Sequence, residues 1–339
     1  MVYQVRNSNL HGPAGAVAPA RVGPDRQTSA TPGLLNREER MNGTTVSIVG
    51  LGSMGFGMAR SLLKGGLRVF ASDLNPARVN AIVAEGGETA PQPEAAAASD
   101  ILICVVLNAD QTRAVLFGPD GWARHLPKGA VIVSCATVPP AFAREMAAEA
   151  QQLGLHYLDA PISGGAAKAA DGRLSIMASG PDAAFDKARP ALDAMAEVVH
   201  RLGPEAGAGS AMKSVNQLLA GVHIAVMGEA LAFALSQGLD LEKVLGVIST
   251  SAGTSWMFEN RAPHVIENDY TPRSMVNIWP KDLGIVQQIA QGAGLPVPIT
   301  ETALAQFRKA AEAGDGEVDD AAITRVYTRA AGLKLPGES

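Results

Sequence analysis

A lysine and two amides stand near the start of a long apolar stretch, GSAMKSVNQLLAGVHIAVMGEALAFA, at residues 209–234. Helical spacing places Lys213, Asn216 and Gln217 along one face of a single helix. A lysine that is removed from water loses hydration, so its pKa falls and it can exchange a proton with a hydroxyl group. The residues alone leave two interpretations open: Lys213 is a solvated surface charge, or it is the centre of the chemistry, with the neighbouring amides orienting it or holding substrate oxygens.

A glycine-rich turn, GLGSMG, follows the β-branched run VSIV and opens a second helical pattern. In this G-x-G-x-x-G arrangement, Gly50 permits a tight turn and Gly52 lets the backbone approach a pyrophosphate at a helix N-terminus. A second apolar run ends in Asp73, 23 residues after Gly50, where a carboxylate accepts hydrogen bonds from ribose hydroxyls and repels a 2′-phosphate. The pattern predicts an NAD site, with an NADP preference conferred by Arg78 as the secondary possibility and an ordinary turn as the alternative. Its predicted cofactor-binding residues are Gly50, Leu51, Gly52, Ser53, Met54, Gly55 and Asp73.

A second glycine turn occurs in DAPISGG, at residues 159–165. Ser163, Gly164 and Gly165 can present a hydroxyl and successive backbone N–H groups to an anion, most simply the carboxylate of a substrate. A tight turn before a helix explains the same residues equally well.

The amino-acid composition limits the kinds of molecule that the protein is expected to bind. The 339 residues are 47% hydrophobic and 18% charged, with a formal net charge of −5 and no basic patch, so neither nucleic acid nor a membrane is an expected partner. Cys104 and Cys135 lie in or just after β-branched runs, which indicates buried thiols in a reducing compartment, and we expect the cytoplasm. Six scattered histidines show no metal-ligand spacing, so we expect no metal.

The order of apolar runs predicts the fold class. Strands are expected at 46–50, 68–73, 100–107, 130–135, 174–180 and 198–203, with another beginning at 156, and helices at 54–64 and 76–85. Such alternation predicts an α/β, Rossmann-type, doubly wound sheet that is mainly parallel. Helical patterns alone follow, at 209–237, 241–251, 281–292 and 299–313. We therefore expect a disordered extension at 1–43, an NAD-binding domain at 44–204 and an all-helical substrate and oligomerisation domain at 205–335, joined by a long interdomain helix.

Four motifs resemble those of the β-hydroxyacid dehydrogenase family in order and spacing. They are GLGSMG, DAPISGG, GSAMKSVNQ and, at 281–284, KDLG, and the resemblance spans about 44–327. Three further segments, NQLLAGVHIA, SWMFENR and DYTPRS, are similar to those of the threonate-oxidising branch. The resemblance implies NAD-dependent oxidation of a small hydroxy acid, most simply a four-carbon sugar acid such as L-threonate. Reduction of tartronate semialdehyde, oxidation of 3-hydroxyisobutyrate and, more distantly, a non-catalytic dinucleotide sensor remain alternatives.

The same resemblance implies residue roles. It makes Lys213 the acid–base group, and it makes Ser163, Gly164, Gly165 and Thr137 the ligands of the substrate. It also implies that Leu107 and Asn108 line the dinucleotide and that Lys281 reaches the cofactor. The family often has Asn where Gln217 stands, which leaves open whether Asn216 or Gln217 contacts the substrate, and often Thr where Ala109 stands. The apolar helix indicates a homodimer or homotetramer.

Overall fold

A five-stranded parallel sheet forms the centre of the first half of the chain in the computed structural model, which describes residues 43–338. The predicted extension at 1–43 lies outside these residues except for Gly43. The strands are β1 (Thr45–Val49), β2 (Arg68–Ser72), β3 (Ile101–Cys104), β4 (Val131–Ser134) and β5 (His156–Asp159), arranged in the order β2-β1-β3-β4-β5.

One further parallel bridge, between Phe70 and Glu88, lies at the outer edge of β2. Glu88 exchanges backbone hydrogen bonds with Val69 and Ala71, at 2.8 and 2.9 Å. If this bridge is counted as a strand shortened to one residue, the sheet has the Rossmann order 3-2-1-4-5-6. The order reverses between β1 and β3, and ligands bind beyond the carboxyl ends of the strands at such a reversal.

Helices cover both faces of this sheet. Alternate strand residues belong to different core clusters: Ile101 and Ile103 join one, whereas Leu102 and Cys104 join the other. Because side chains alternate across a strand, two buried faces require the near-continuous apolar runs that the sequence shows. The helices are α1 (Ser53–Lys64), α2 (Pro76–Ala84), α3 (Gln92–Ala97), α4 (Ala109–Phe117) and α5 (Pro140–Gln152).

A second, three-stranded sheet follows, which the sequence did not separate from the first. It contains β6 (Ile162–Ser163), α6 (Gly165–Ala170), β7 (Leu174–Ala178), α7 (Asp182–Met195) and β8 (Ala196–Arg201). β6 and β7 are antiparallel, whereas β7 and β8 are parallel. The two sheets meet at an antiparallel bridge between Asp159 and Ser179. Only a short loop joins β5 to β6, too short for the crossover that another parallel strand would need.

The rest of the chain is helical. Its helices are α8 (Ala208–Ser236), α9 (Leu241–Ile248), α10 (Trp256–Ile266), α11 (Ile278–Gly292), α12 (Pro298–Ala310) and α13 (Thr324–Ala331). The predicted fold class, a Rossmann-type sheet followed by an all-helical region with a long connecting helix, is confirmed. The sequence analysis did not predict α10 or α13. α10 contains Pro263, a residue that normally argues against a helix interior, and its first turn is capped by the Ser255 hydroxyl.

The connecting helix α8 takes part in both halves. Its first turn contacts the sheets, and its later turns are packed in the helical core. A Cβ at Gly221 would lie 2.9 Å from Leu283 and Trp279 side-chain atoms, so a glycine there lets α11 pack closely. Of the described residues, α8 alone has the length and apolar composition to cross a membrane. Its polar residues Lys213 and Gln217 are buried against other parts of the protein, as in the core helix of a folded domain.

Candidate active site

The first glycine turn has the geometry that its sequence predicted. Gly50 has φ +95°, and a Cβ there would lie 2.1 Å from the Val105 carbonyl oxygen. A Cβ at Gly55 would lie 1.9 Å from the Gly50 carbonyl oxygen, so these two glycines are required by the fold itself. Gly52 differs, because a Cβ there would meet no atom within 4 Å. The backbone at Gly52 therefore faces open space at the start of α1.

The N-terminus of α1 suits an anion. Gly52 supplies no side-chain cap, and the first turn contains no acidic residue. The first N–H groups of a helix lack partners within the helix, and the helix dipole favours negative charge there. A pyrophosphate fits this position by charge and by the free space in front of Gly52.

Asp73 lies beside this turn, one residue after the end of β2. Its Oδ2 accepts a hydrogen bond from the Leu51 N–H at 2.6 Å, and its Oδ1 accepts one from the Asn75 N–H at 2.8 Å. The carboxylate is thus held at the carboxyl edge of the sheet beside the glycine turn, as required of a ribose ligand. Arg78 lies two residues inside α2 and is exposed.

Lys213 lies one turn into α8 and is 7% exposed. Burial lowers the pKa of its ammonium group to about 8; the negative charge of Asp282 opposes this shift, and the positive charge of Lys281 adds to it. No side-chain hydrogen bond or ion pair is formed by Lys213 with any of residues 43–338. A buried, unpaired amine with a pKa near neutrality is suited to proton exchange with a ligand.

A buried carboxylate connects the neighbouring side chains. Asp282, on α11, is 2% exposed. Its Oδ2 accepts a hydrogen bond from Gln217 Nε2 at 2.5 Å, and Lys281 Nζ lies 2.5 Å from its Oδ1. Asn216 Nδ2 in turn donates to Gln217 Oε1 at 3.0 Å. Asp282 therefore links the amide pair of α8 to the lysine of the KDLG motif.

The side-chain amides of Asn216 and Gln217 differ in how many of their hydrogen-bonding groups already have a partner. Both ends of the Gln217 amide are hydrogen-bonded, and the residue is 8% exposed. Asn216 is only half-buried and uses one donor. Its carbonyl oxygen and second N–H are therefore available to a ligand in this arrangement.

A cavity of about 430 Å³ lies between the two halves of the chain. It brings together four residues predicted from the sequence, namely Leu107, Asn108, Thr137 and Lys281. The Asn108 side chain is partly occupied, because it accepts a hydrogen bond from the Gln111 N–H at 2.8 Å and so caps α4. Ala109, where the family often has Thr, also lines the cavity, and the sequence analysis missed four other lining residues, which are Asp110, Pro139, Asn277 and Ile285.

A buried ionic cluster holds the start of α11, which follows Asn277 directly and carries Lys281. Asp320 accepts hydrogen bonds from Arg261 Nε at 2.6 Å and from Trp279 Nε1 at 2.9 Å. Both Asp320 and its neighbour Asp319 are fully buried. The sequence gives no sign that Asp320 bonds to Arg261 and Trp279, because these two partners belong to separate helices.

Ser163, Gly164 and Gly165 lie outside that cavity, at the start of α6. Gly164 and Gly165 have φ of +133° and +79°, so the turn requires glycine at both positions. A Cβ at Gly165 would meet no atom within 4 Å, and Ser163 is half-buried. The turn is therefore open to a ligand on one side, and its N–H groups lie at the beginning of a helix.

The two cysteines are not suited to act as nucleophiles. Cys104 and Cys135 are buried, and desolvation raises the pKa of Cys104 to about 12 and that of Cys135 further. Neither thiol is poised to form a nucleophilic thiolate. Among residues 43–338, no group of three or more His, Cys, Asp or Glu side chains is arranged to hold a metal ion.

Comparison with known proteins agrees with this architecture. A model described as the NAD binding domain of 6-phosphogluconate dehydrogenase matches residues 45–203. A second, described as NAD-binding of NADP-dependent 3-hydroxyisobutyrate dehydrogenase, matches residues 207–327. L-threonate dehydrogenase of Cupriavidus necator is 45% identical over 295 residues, which cover 87% of this chain and 98% of that protein. The chain belongs to the β-hydroxyacid dehydrogenase family.

Two further members show the breadth of this family. The NAD-dependent L-serine dehydrogenase of Pseudomonas aeruginosa is 33% identical, over 83% of this chain and 97% of its own. The crystal structure of 3-hydroxyisobutyrate dehydrogenase from Salmonella typhimurium superposes with a TM-score of 0.80 at 47% identity, covering 84% of this chain and 99% of that one. The chain is accordingly an NAD-binding oxidoreductase of the β-hydroxyacid dehydrogenase family.

Proposed function

We propose that this protein oxidises L-threonate at C2 to the corresponding 2-oxo acid, with NAD as the hydride acceptor. The observation that carries the reaction type is the buried, unpaired Lys213 beside an amide pair. The substrate is supported by the 45% identity to the L-threonate dehydrogenase of Cupriavidus necator over nearly its whole length. Two more L-threonate dehydrogenases, from Escherichia coli K12 and Haemophilus influenzae, are 44% and 42% identical.

In this proposal the two halves of the chain divide the work, with residues 44–204 binding NAD and 205–335 completing the substrate site. The N-terminus of α1 and the Gly50–Gly55 turn hold the pyrophosphate, and Asp73 holds the adenosine ribose. Leu107 and Asn108 line the dinucleotide, and Lys281 approaches it from α11. A carboxylate at Asp73 repels a 2′-phosphate, so we propose NAD over NADP.

Lys213 acts on the reacting hydroxyl group. Its neutral amine takes the hydroxyl proton while the C2–H bond breaks, and the resulting ammonium stabilises the developing alkoxide charge. NAD, when held by these residues, would supply the acceptor for the C2 hydride. Ser163, Gly164 and Gly165 hold the substrate carboxylate with a hydroxyl and backbone N–H groups, assisted by Thr137. Asn216 holds a substrate oxygen, and Gln217 supports it.

A substrate panel tests this function directly. NADH or NADPH formation is measured with L-threonate, D-erythronate, 3-hydroxyisobutyrate, glycerate and L-serine, each with NAD and with NADP. We expect the highest kcat/KM with L-threonate and NAD. Preferential turnover of 3-hydroxyisobutyrate, or reduction of tartronate semialdehyde in the reverse assay, would favour the alternative substrates. Absence of turnover with every compound contradicts the proposed function.

The pH profile follows from the lowered pKa of Lys213, about 8. In the oxidation direction the amine must be neutral in the free enzyme, so kcat/KM rises about tenfold per pH unit below this value and levels off above it. In the reduction direction the ammonium is the proton donor, so the profile is reversed and activity falls as pH rises past about 8. Stopped-flow or steady-state rates from pH 6 to 10 in both directions check the sign. Profiles with the same slope in both directions would contradict a single acid–base lysine.

We also propose that the chain is a cytoplasmic homodimer or homotetramer. Exposed apolar side chains recur every seven residues along α8, at Met212, Leu219, Val226 and Phe233, which are 44–67% exposed. A strict seven-residue apolar repeat is typical of helices that pair with another helix. A second copy of the chain is the occupant that we propose for this stripe.

Charge on the stripe is expected to prevent assembly. Introducing Val226→Glu together with Phe233→Glu places two carboxylates in the interface, where desolvating them is costly. Light scattering at micromolar concentration should then give the 35.0 kDa monomer, whereas the unmodified chain gives a multiple of that mass. Ile299→Glu changes an exposed aliphatic residue on α12 and serves as the matched control. A monomeric unmodified chain rules out the oligomer.

A further inference from the structure

A buried carboxylate at the end of β5 binds the start of the helix that carries Lys213. Asp159 is 1% exposed. Its Oδ2 accepts hydrogen bonds from the backbone N–H groups of Gly207 and Ser210, at 2.9 and 2.8 Å. Its Oδ1 accepts a hydrogen bond from the Ser210 hydroxyl at 2.6 Å. The Ser179 hydroxyl lies 3.4 Å from Oδ2 and itself accepts a hydrogen bond from the Gly209 N–H at 2.9 Å.

These contacts supply a cap that α8 lacks in its own sequence. The residue before the helix is Gly207, which provides no side-chain acceptor, and the first turn contains no acidic residue. The first N–H groups of a helix need partners, and a negative charge is stabilised beside them. Asp159 meets both requirements from a different element, 48 residues earlier in the chain.

The helix start is also pressed closely against the sheets. A Cβ at Gly209 would lie 2.5 Å from the carbonyl oxygens of both Asp159 and Met177. Gly207 has φ +105°, which favours glycine. The first turn of α8 is therefore seated on the backbone of β5 and β7, and Asp159 provides its polar attachment.

Both parts of the proposed substrate site lie within a few residues of this attachment. Lys213 follows Ser210 by three residues, less than one helical turn. On the other side, Ser163 follows Asp159 by four residues and is paired with Ser175 of β7. The Asp159 side chain is thus bonded to α8, the helix that carries Lys213. Its backbone belongs to the same short segment as the Ser163–Gly165 turn.

We propose that Asp159 is a positioning residue that sets the distance between Lys213 and the Ser163–Gly165 turn. This inference rests on the proposed function, in which these groups hold the two ends of one substrate. Asp159 does not touch the substrate, because its oxygens are occupied by α8 and the residue is closed to solvent. Its effect on the reaction is transmitted through the position of Lys213.

An asparagine can replace the carboxylate without losing these bonds. The amide oxygen can accept the two backbone N–H groups, and the amide nitrogen can donate to the Ser210 hydroxyl, which is able to accept. Asp159→Ala removes every bond from this side chain and frees the start of α8. Ser210→Ala removes only the 2.6 Å bond and leaves both backbone bonds. Together the three variants keep all, some or none of the hydrogen bonds between residue 159 and the start of α8.

We expect kcat with L-threonate to fall about 10- to 100-fold in Asp159→Ala, because a displacement of about 1 Å can cost that much in rate. Asp159→Asn should recover most of the loss, and Ser210→Ala should lie between them. KM for NAD should remain unchanged in all three. Ser214→Ala is the matched control, because within residues 43–338 this buried hydroxyl on α8 bonds only to the Ser210 carbonyl of its own helix.

The pH at which Lys213 loses its proton can be measured separately, and a loss of stability alone would not change it. Asp282 and Lys281 are the charged groups that act on Lys213, and both belong to α11 rather than to the sheet. Loosening the start of α8 admits water to Lys213 while leaving these charges in place. The pH at which Lys213 becomes reactive toward acetic anhydride, followed by peptide mass spectrometry, should therefore rise in Asp159→Ala and return in Asp159→Asn.

The acetylation profile is independent of turnover and separates the two proposals. If the unmodified enzyme turns over no substrate but the Lys213 profile shifts as expected, the function is wrong and the positioning role stands. If Asp159→Ala only lowers the unfolding temperature, with kcat and the Lys213 profile unchanged well below it, Asp159 is a purely structural cap. Should Asp159→Ala fail to fold, Ser210→Ala and Asp159→Asn supply the same comparison, and an unchanged profile and kcat in Ser210→Ala then overturn the proposal.

Discussion

Lys213→Ala is expected to lower kcat for L-threonate oxidation by about 10³-fold or more while the affinity for NAD stays within about threefold. Loss of a positioned general base typically costs about 10²- to 10⁴-fold, and the charge that stabilises the alkoxide is lost with it. NAD affinity should persist because the glycine turn and Asp73 belong to the other half of the chain. Steady-state rates and isothermal titration with NAD measure the two quantities separately.

Two controls sharpen this experiment. Lys309→Ala removes an exposed lysine from α12 and should leave kcat unchanged. The space left by the shortened side chain should admit a small primary amine such as methylamine, which is expected to restore part of the activity in a concentration-dependent manner. Activity within tenfold of the unmodified enzyme would remove Lys213 from the mechanism. An unmodified protein that binds NAD but turns over no substrate would instead favour a dinucleotide sensor.

Gly52→Ala should leave the fold intact and weaken NAD binding by about tenfold or more, equivalent to about 1.4 kcal/mol or more. The added methyl group meets no protein atom within 4 Å, and φ −63° is accessible to alanine. The methyl group would occupy the space in which the pyrophosphate must approach the backbone. Thermal unfolding and NAD titration on the same sample test both halves of the prediction.

Gly50→Ala is the informative comparison, because it should damage the fold itself. The methyl group would lie 2.1 Å from the Val105 carbonyl oxygen, at a residue with φ +95°. We expect a loss of unfolding free energy of about 2 kcal/mol or more from strain and overpacking. If Gly52→Ala binds NAD normally, the pyrophosphate does not lie against this turn. If Gly52→Ala and Gly50→Ala destabilise the protein equally, the space in front of Gly52 is not open.

Much of the architecture could be predicted because local rules agree with the final fold. Strands β1, β3 and β4 are buried along their whole length, and a strand buried on both faces forms a near-continuous apolar run. The glycine turn was recognisable because backbone sterics demand glycine at Gly50 and Gly55 whatever the ligand. The long apolar run of α8 was equally visible.

Other elements were hidden for physical reasons. α10 escaped prediction because Pro263 lies inside it, and the separate three-stranded sheet because strand direction depends on pairing rather than on composition. The motif that begins at Asp159 was visible in the sequence. That its carboxylate caps a helix 48 residues later was not. Long-range pairs between polar residues leave no periodic signal in a single sequence.

By itself the sequence determined the fold class and predicted the dinucleotide turn; it also predicted Lys213 as the residue for proton exchange, through the resemblance of GSAMKSVNQ to a family motif. The fold class and the turn follow from local chemistry: backbone geometry at glycine, the alternation of side chains along strands, and the spacing of residues on a helix. Only the tertiary structure decided that Lys213 is buried without a partner among residues 43–338, that Asp282 holds Gln217, and that Asn216 keeps free hydrogen-bonding capacity within the same residues. The physical reason is that burial and polar pairing depend on which elements pack together, and those contacts join residues that are distant in the chain.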